Sequence, residues 1–181
     1  MKDLLRGANL YFIGMMGAGK TTIGRLVASQ LGYRFIDTDA VIEQSAGQSI
    51  NQIFAESGEA EFRQLETQVL AELSAHTRMA IATGGGIVLQ RHNWSYLHHG
   101  IVIWIDVPVE QLYKRLQKDT TRPLLKSPNP LEKLQQLFEQ RQHLYAQADV
   151  RVTWMEPEAP IQLAARILEE IPKVLKGSQK T

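Results

Sequence analysis

Asp37 and Asp39 stand about twenty residues after a glycine-rich loop that ends in a lysine and two threonines. The loop, Gly14 to Thr21 with the sequence GMMGAGKT, satisfies the spacing G-x-x-x-x-G-K-[ST]. A β-rich apolar run precedes it and an amphipathic helical pattern follows, which is the context this motif needs. Glycines let the backbone wrap closely with its N–H groups turned inward, and the helix N-terminus adds its dipole to the same spot. Gly14, Met16, Gly17, Ala18, Gly19, Lys20, Thr21 and Thr22 are therefore expected to bind a nucleotide's phosphates. Lys20 would reach the β and γ phosphates, and the Thr21 hydroxyl would ligate Mg²⁺. Carboxylates repel phosphates, so the two aspartates must serve some other part of the chemistry.

They close the stretch RFIDTD, after a short apolar run. That puts them at the carboxyl end of a strand, the side on which open α/β sheets bind ligands. If the chain turns there, one aspartate can face a metal and the other an acceptor. Asp39 could instead cap the helix DAVIEQSA, although capping accounts for one aspartate and not two. A third acid, Asp106, ends IVIWID, where an ATPase could carry a metal-binding carboxylate. The expectation is that it ends the strand and caps the helix beginning after Pro108.

The elements that hold these groups follow from periodicity. Runs at 10–14, 33–36, 79–83, 101–107 and 150–154 have strand length and composition. Helix-period stretches lie between them. Residues 20–31 carry Ile23, Leu26, Val27 and Leu31, with Gly32 as the stop. Residues 59–75 carry Phe62, Leu65, Val69 and Leu73, and further helices are expected at 109–118, 131–147 and 161–175. The alternation predicts an α/β fold, a five-stranded parallel sheet flanked by helices in three layers. The stretch DTTRPLLKSPNP, 119–130, with three prolines, is too short to separate domains and suits a mobile flap on one domain spanning 1–181.

Composition narrows the function classes. With 20 Lys+Arg against 19 Asp+Glu, no broad electrostatic grip on nucleic acid or membrane is expected. The absence of cysteine excludes disulfides and thiolate chemistry. No apolar run approaches the roughly 20 residues of a membrane span, and Asp3 and Arg6 interrupt the N-terminal apolar stretch. A cytoplasmic location is expected. A GTPase would carry N-K-x-D, and no such stretch occurs.

Two arginines and a glycine run complete the candidates. Arg63 flanks the buried face of its helix, and Glu66 three residues on could pair with it; on pattern alone this is a surface ion pair. Arg141 falls within the stripe Leu131, Leu134, Phe138, Leu144, Tyr145 and Ala148. A charge there needs a partner or a polar cavity, unless it snorkels from the helix edge. Gly84, Gly85 and Gly86 end a strand, either as a flexible turn or to let a ring lie against the backbone.

In this order, GMMGAGKT, FIDTD, GEAEFRQLE, TGGGIV, TRPLL and RQHLY resemble the shikimate kinases over about residues 10–150. The resemblance implies a P-loop kinase fold, with a lid at about 119–130 and an acceptor-binding helical region at about 39–66. ATP would be the donor, Mg²⁺ the metal and shikimate the acceptor of a monomeric enzyme that makes shikimate 3-phosphate for aromatic amino acid synthesis. Asp37 and Thr21 would hold the metal, and Asp39 would orient and deprotonate the attacking hydroxyl. Arg63 and Arg141 would bind the acceptor carboxylate, with Gly84, Gly85 and Gly86 against its ring. Arg122, in the flap, would reach the ATP phosphates alongside Lys20. Lys118 occupies a region where the family often has a basic residue near adenine, whereas WMEPEAP matches no family nucleotide contact. Another small-molecule kinase on the same scaffold, or a binding module without activity, are the rival classes.

Overall fold

The computed structural model describes residues 2–117 and 129–177. A short α1 (Lys2–Leu5) precedes β1 (Leu10–Ile13), and α2 (Lys20–Leu31) leads to β2 (Arg34–Asp37). Next come α3 (Thr38–Ala46), α4 (Ile50–Glu56), α5 (Gly58–Ser74) and β3 (Met79–Ala82). A single 3₁₀ turn (Ile87–Leu89) and α6 (Asn93–Leu97) lead to β4 (Ile101–Asp106), and α7 (Val109–Leu116) and α8 (Pro130–Tyr145) to β5 (Val150–Thr153). The helix α9 (Pro160–Gly177) follows.

The strands form one sheet in the order β2-β3-β1-β4-β5, each neighbouring pair parallel. Every residue of β1, β3 and β4 is buried. These strands read as unbroken apolar runs because helices cover both faces of the sheet. At the edge, β5 alternates, with Val150 and Val152 inward and Arg151 and Thr153 outward. Parallel pairing brings all the strand carboxyl ends to one rim, where the loop after β1, the aspartates at the junction of β2 and α3 and the glycines after β3 assemble.

The main core surrounds the sheet and includes Tyr11, Phe12, Leu70, Ile103 and Tyr145. A second apolar cluster, Ile42, Ile53, Phe62 and Val69, lies within α3, α4 and α5. The five expected strands and the five expected long helices are present, and α2 ends at Gly32 in the left-handed conformation (φ 62). Periodicity did not reveal α4, whose seven residues bury only Ile53. Its capping box, Ser49 with Gln52, was nonetheless present in the sequence.

One expectation is corrected. Asp106 does not cap α7, which begins behind Pro108 with no side-chain cap. Val107 and Pro108 carry the chain on before the helix starts, beyond the carboxylate's reach. Asp106 Oδ2 instead accepts from Arg151 Nη2 at 2.7 Å and Nε at 3.0 Å, tying β4 to the edge strand.

Candidate active site

The donor side is built on the turn from β1 into α2. Gly14 passes so close to β4 that a Cβ would stand 2.6 Å from the Ile105 carbonyl oxygen. Gly19 holds a left-handed conformation (φ 94) and hands the chain into α2. The first-turn amides of that helix therefore lie at the mouth of the loop. Met16, Gly17 and Ala18 form the loop between these glycines, and Thr21 and Thr22 sit exposed in the first turn of α2. Lys20 is buried, and its Nζ donates to the carbonyls of Gly14 and Met15, each at 2.8 Å. The ammonium thus lies folded against the loop backbone. Arg115 of α7, which the sequence pattern did not single out, places Nη1 at 3.3 Å from Gly17 O and 3.4 Å from Ala18 O. Its guanidinium lies over the Trp154 ring at 4.8 Å.

The two aspartates divide at the start of α3. Asp37 is the N-cap: Oδ1 accepts from the Asp39 amide at 3.1 Å, and Oδ2 accepts from Thr21 Oγ1 at 2.7 Å. Asp39 lies in the first turn, where a negative charge complements the helix dipole. The alternative that made Asp39 the cap is thereby replaced. Thr21 and Asp37 bring two oxygen donors side by side, and among the described residues no group of three or more His, Cys, Asp or Glu could hold an ion. Such a set fits Mg²⁺, which takes one or two protein oxygens and fills its shell with water and phosphate oxygens.

The acceptor side converges on the glycine run. None of the three glycines needs a left-handed backbone; each is glycine for room. The Gly84 amide donates to the buried Thr38 hydroxyl at 3.2 Å. A Cβ on Gly84 would collide with Glu66 Oε1 and stand 3.0 Å from Asp39 Oδ1. Gly85 faces the phosphate loop, where a Cβ would lie 3.3 Å from the Met16 nitrogen. Its carbonyl accepts from Tyr145 Oη at 2.6 Å and from Arg141 Nη1 at 3.3 Å. A Cβ on Gly86 would fall on the Arg63 guanidinium.

Arg63 has Nη1 on Glu66 Oε2 at 2.7 Å, while Nε and Nη2 reach Glu59 Oε1 at 3.3 and 2.9 Å. The Glu59 side chain is 62% exposed and that of Glu66 is fully buried, so the ion pair to Glu59 is the one open to solvent. Burial pushes the Glu66 carboxyl above its ordinary value; Arg63 offsets this in part, and Asp39 adds to it. Burial likewise raises the Tyr145 phenol to about 12, against the pull of Arg141 and Arg63, so it stays a neutral donor.

Arg141 is 9% exposed, on the buried face of α8 with Leu134, Leu137 and Tyr145. The snorkelling alternative does not describe it. Pattern reading placed Glu66 in a surface pair, yet Phe62, Glu66 and Val69 recur at helical spacing, so its burial was readable. Nothing in the pattern marked Tyr145, which reads as one more apolar-stripe aromatic. Arg122 and Lys118 lie outside the described residues, as does nearly all of the expected lid.

The chain matches the shikimate kinase family model over residues 16–172. A shikimate kinase of Trichormus variabilis is 59% identical, and one of Nostoc sp. is 58% identical, each over 176 residues that cover 97% of both chains. Among solved structures, a shikimate kinase from Acinetobacter baumannii in complex with shikimate is 40% identical. It superimposes with a TM-score of 0.89 over 95% of this chain and 97% of that one. With the family model matched over most of its length and relatives nearly three-fifths identical along almost all of it, the chain belongs to the shikimate kinase family.

Proposed function

We propose that this chain performs the family's reaction, transfer of the ATP γ-phosphoryl group to the 3-hydroxyl of shikimate, with the following division of labour. The loop amides of Gly14 to Gly19, the Lys20 ammonium and the hydroxyl-bearing turn at Thr21 and Thr22 hold the triphosphate. Thr21 and Asp37 would hold Mg²⁺, which would supply positive charge to offset that of the phosphates. Asp39, beside Gly84, orients the attacking hydroxyl and takes its proton as the oxygen–phosphorus bond forms and the bond to the bridging oxygen of ADP breaks.

Arg63 and Arg141 bind the acceptor's carboxylate, for which a planar fork gives two hydrogen bonds of fixed orientation. Glu66 keeps Arg63 aimed while Glu59 yields its place. Gly84, Gly85 and Gly86 set the ring against backbone. By the same reading Arg122, which lies outside the described residues, would reach the phosphates, and closure of a lid at about 119–130 would shut out water that competes for the phosphoryl group. The helices within 39–66 act as the acceptor-binding part of one domain. We also read the chain as a monomer of the cytoplasm, and its balanced charge gives no broad electrostatic grip on nucleic acid or membrane. No helix among the described residues is long and apolar enough to cross a membrane.

The observation that carries this reading is that Arg63, Arg141, Asp39 and Glu66 all meet three consecutive glycines whose middle member faces the phosphate loop. A coupled ADP-release assay over a panel of acceptors, with and without Mg²⁺, tests it. Shikimate-dependent turnover that requires Mg²⁺ is expected, with gluconate and nucleosides inert. Turnover on a neutral sugar or nucleoside in place of shikimate would overturn the assignment of the two arginines.

A further inference from the structure

Arg63 needs more than Glu66 to be useful: its helix must sit at a fixed height against the glycine run. One buried side chain spans that joint. Asn93, at the start of α6, is fully buried and belongs to neither of the elements it connects. Its Nδ2 donates to the Ile87 carbonyl at 2.8 Å, one residue beyond Gly86. Its Oδ1 accepts from the Thr67 hydroxyl at 2.8 Å, and that same oxygen of Thr67 lies 3.0 Å from the Arg63 carbonyl, one helical turn back. The hydroxyl has one proton, shared between the two acceptors. The opposite amide orientation would set two acceptors face to face at Ile87, so the network admits one arrangement. Beside it, Trp94 Nε1 donates to the Val88 carbonyl at 3.2 Å. The segment after the glycines is thus clasped by two side chains of one short helix.

We propose that Asn93 and Thr67 are positioning residues for the acceptor site: they set the height of the Arg63 turn of α5 against Gly84–Gly86 and so the aim of the guanidinium. Neither touches an acceptor; both act through Arg63 and the glycine run. The donor side keeps its own ties: Lys20 binds the carbonyls of Gly14 and Met15 within the loop, while the side-chain hydrogen bonds of Asn93 and Thr67 go to Ile87, Arg63 and each other. The loop approaches the glycine run at Gly85, two residues before the Asn93 contact. Loosening the clasp therefore weakens acceptor binding and spares ATP. This proposal rests on the reading of Arg63 as an acceptor ligand.

The test separates the two Michaelis constants. Thr67→Val keeps the shape of this half-buried side chain and removes the hydroxyl, and Thr67→Ser restores it. For Thr67→Val the shikimate KM is expected to rise roughly 2- to 10-fold, the cost of one hydrogen bond, with kcat and the ATP KM within about twofold of the parent. Thr67→Ser should return the shikimate KM to the parent value. Asn93→Asp, which turns a carboxylate oxygen toward the Ile87 carbonyl, should give a larger shift of the same kind. If it does not fold, the threonine pair still decides. A Thr67→Val enzyme of lower melting temperature with an unchanged shikimate KM, an equal rise in both KM values, or no recovery with serine, overturns the proposal. Arg63→Lys is measured alongside. An unchanged shikimate KM in that variant removes the underlying reading of Arg63, a failure distinct from any result at Thr67.

Discussion

The Arg63 guanidinium packs on Gly86 while Arg141 donates to the carbonyl of Gly85, so cations from two separate helices meet consecutive residues of one turn. Glu66 and the exposed Glu59 both pair with Arg63, so on the proposed reading an acceptor carboxylate takes the place that Glu59 holds. Truncating Arg141 to alanine is expected to cost about 2–5 kcal/mol in shikimate binding, the range for one partner of a desolvated charge pair. Fluorescence or calorimetric titration with shikimate checks this. A variant that loses stability and keeps its shikimate affinity would make the arginine structural.

Gly86 is glycine for room. Its backbone (φ −100) suits any residue, but a Cβ would overlap the Arg63 guanidinium. Gly86→Ala is expected to push that group out of line. The kcat/KM for shikimate should fall by up to roughly a hundredfold if the displacement approaches 1 Å, while the ATP KM stays near that of the parent. Steady-state kinetics with each substrate varied in turn gives the answer, and an unchanged kcat/KM for shikimate would show that the guanidinium re-aims freely.

Much of this architecture was legible before any coordinates. Five strands and the phosphate loop follow from apolar runs and glycine spacing, because those patterns are local. Arg141 stood out because a charge on an apolar stripe contradicts its surroundings. What was not legible depends on contacts between elements. That Gly84 and Gly86 leave space for carboxylates and a guanidinium, rather than bend the chain, is a fact about α3 and α5 converging on the turn after β3. Asp106 looked like a cap because strand-end aspartates often are, and only the pairing of β4 with β5 reveals Arg151 as its partner. Arg115 reaches Gly17 and Ala18 from nearly a hundred residues away, a separation no motif encodes.

Glu66 gives a pH signature. Burial sets its folded-state pKa above the ordinary 4.5. Between 4.5 and that higher value the folded chain binds more protons than the unfolded chain. Stability contributed by this group therefore falls as pH rises through the window and is constant above it. Glu66→Gln cannot titrate, so the stability of the parent relative to this variant should decline as pH rises across the window and then level off. Urea denaturation of both proteins at a series of pH values from about 4.5 upward measures it. A difference that stays flat with pH would mean that Glu66 does not hold its proton as its burial dictates. The acceptor carboxylate adds a further negative charge nearby, so shikimate binding in the same window should take up protons. Calorimetry in buffers of different ionisation enthalpy detects that uptake.

Asp39 carries the chemical step in this reading, and its isosteric amide separates that role from binding. Its amide is held by the Asp37 cap, a backbone contact that asparagine would keep, and its Oδ1 lies beside Gly84. Asp39→Asn retains the shape and loses the proton acceptor. If Asp39 takes the hydroxyl proton, kcat should fall by about 10²–10⁴, while ATP binding, which depends on the loop and Lys20, should change little. Orientation alone gives a different pattern: asparagine can still accept a hydrogen bond from the hydroxyl, so the loss would be smaller and would appear in the shikimate KM as well. Single-turnover phosphoryl transfer resolves the two, because it reports the chemical step free of product release. A near-parental single-turnover rate would remove Asp39 from proton transfer and leave deprotonation to the phosphate oxygens of ATP itself.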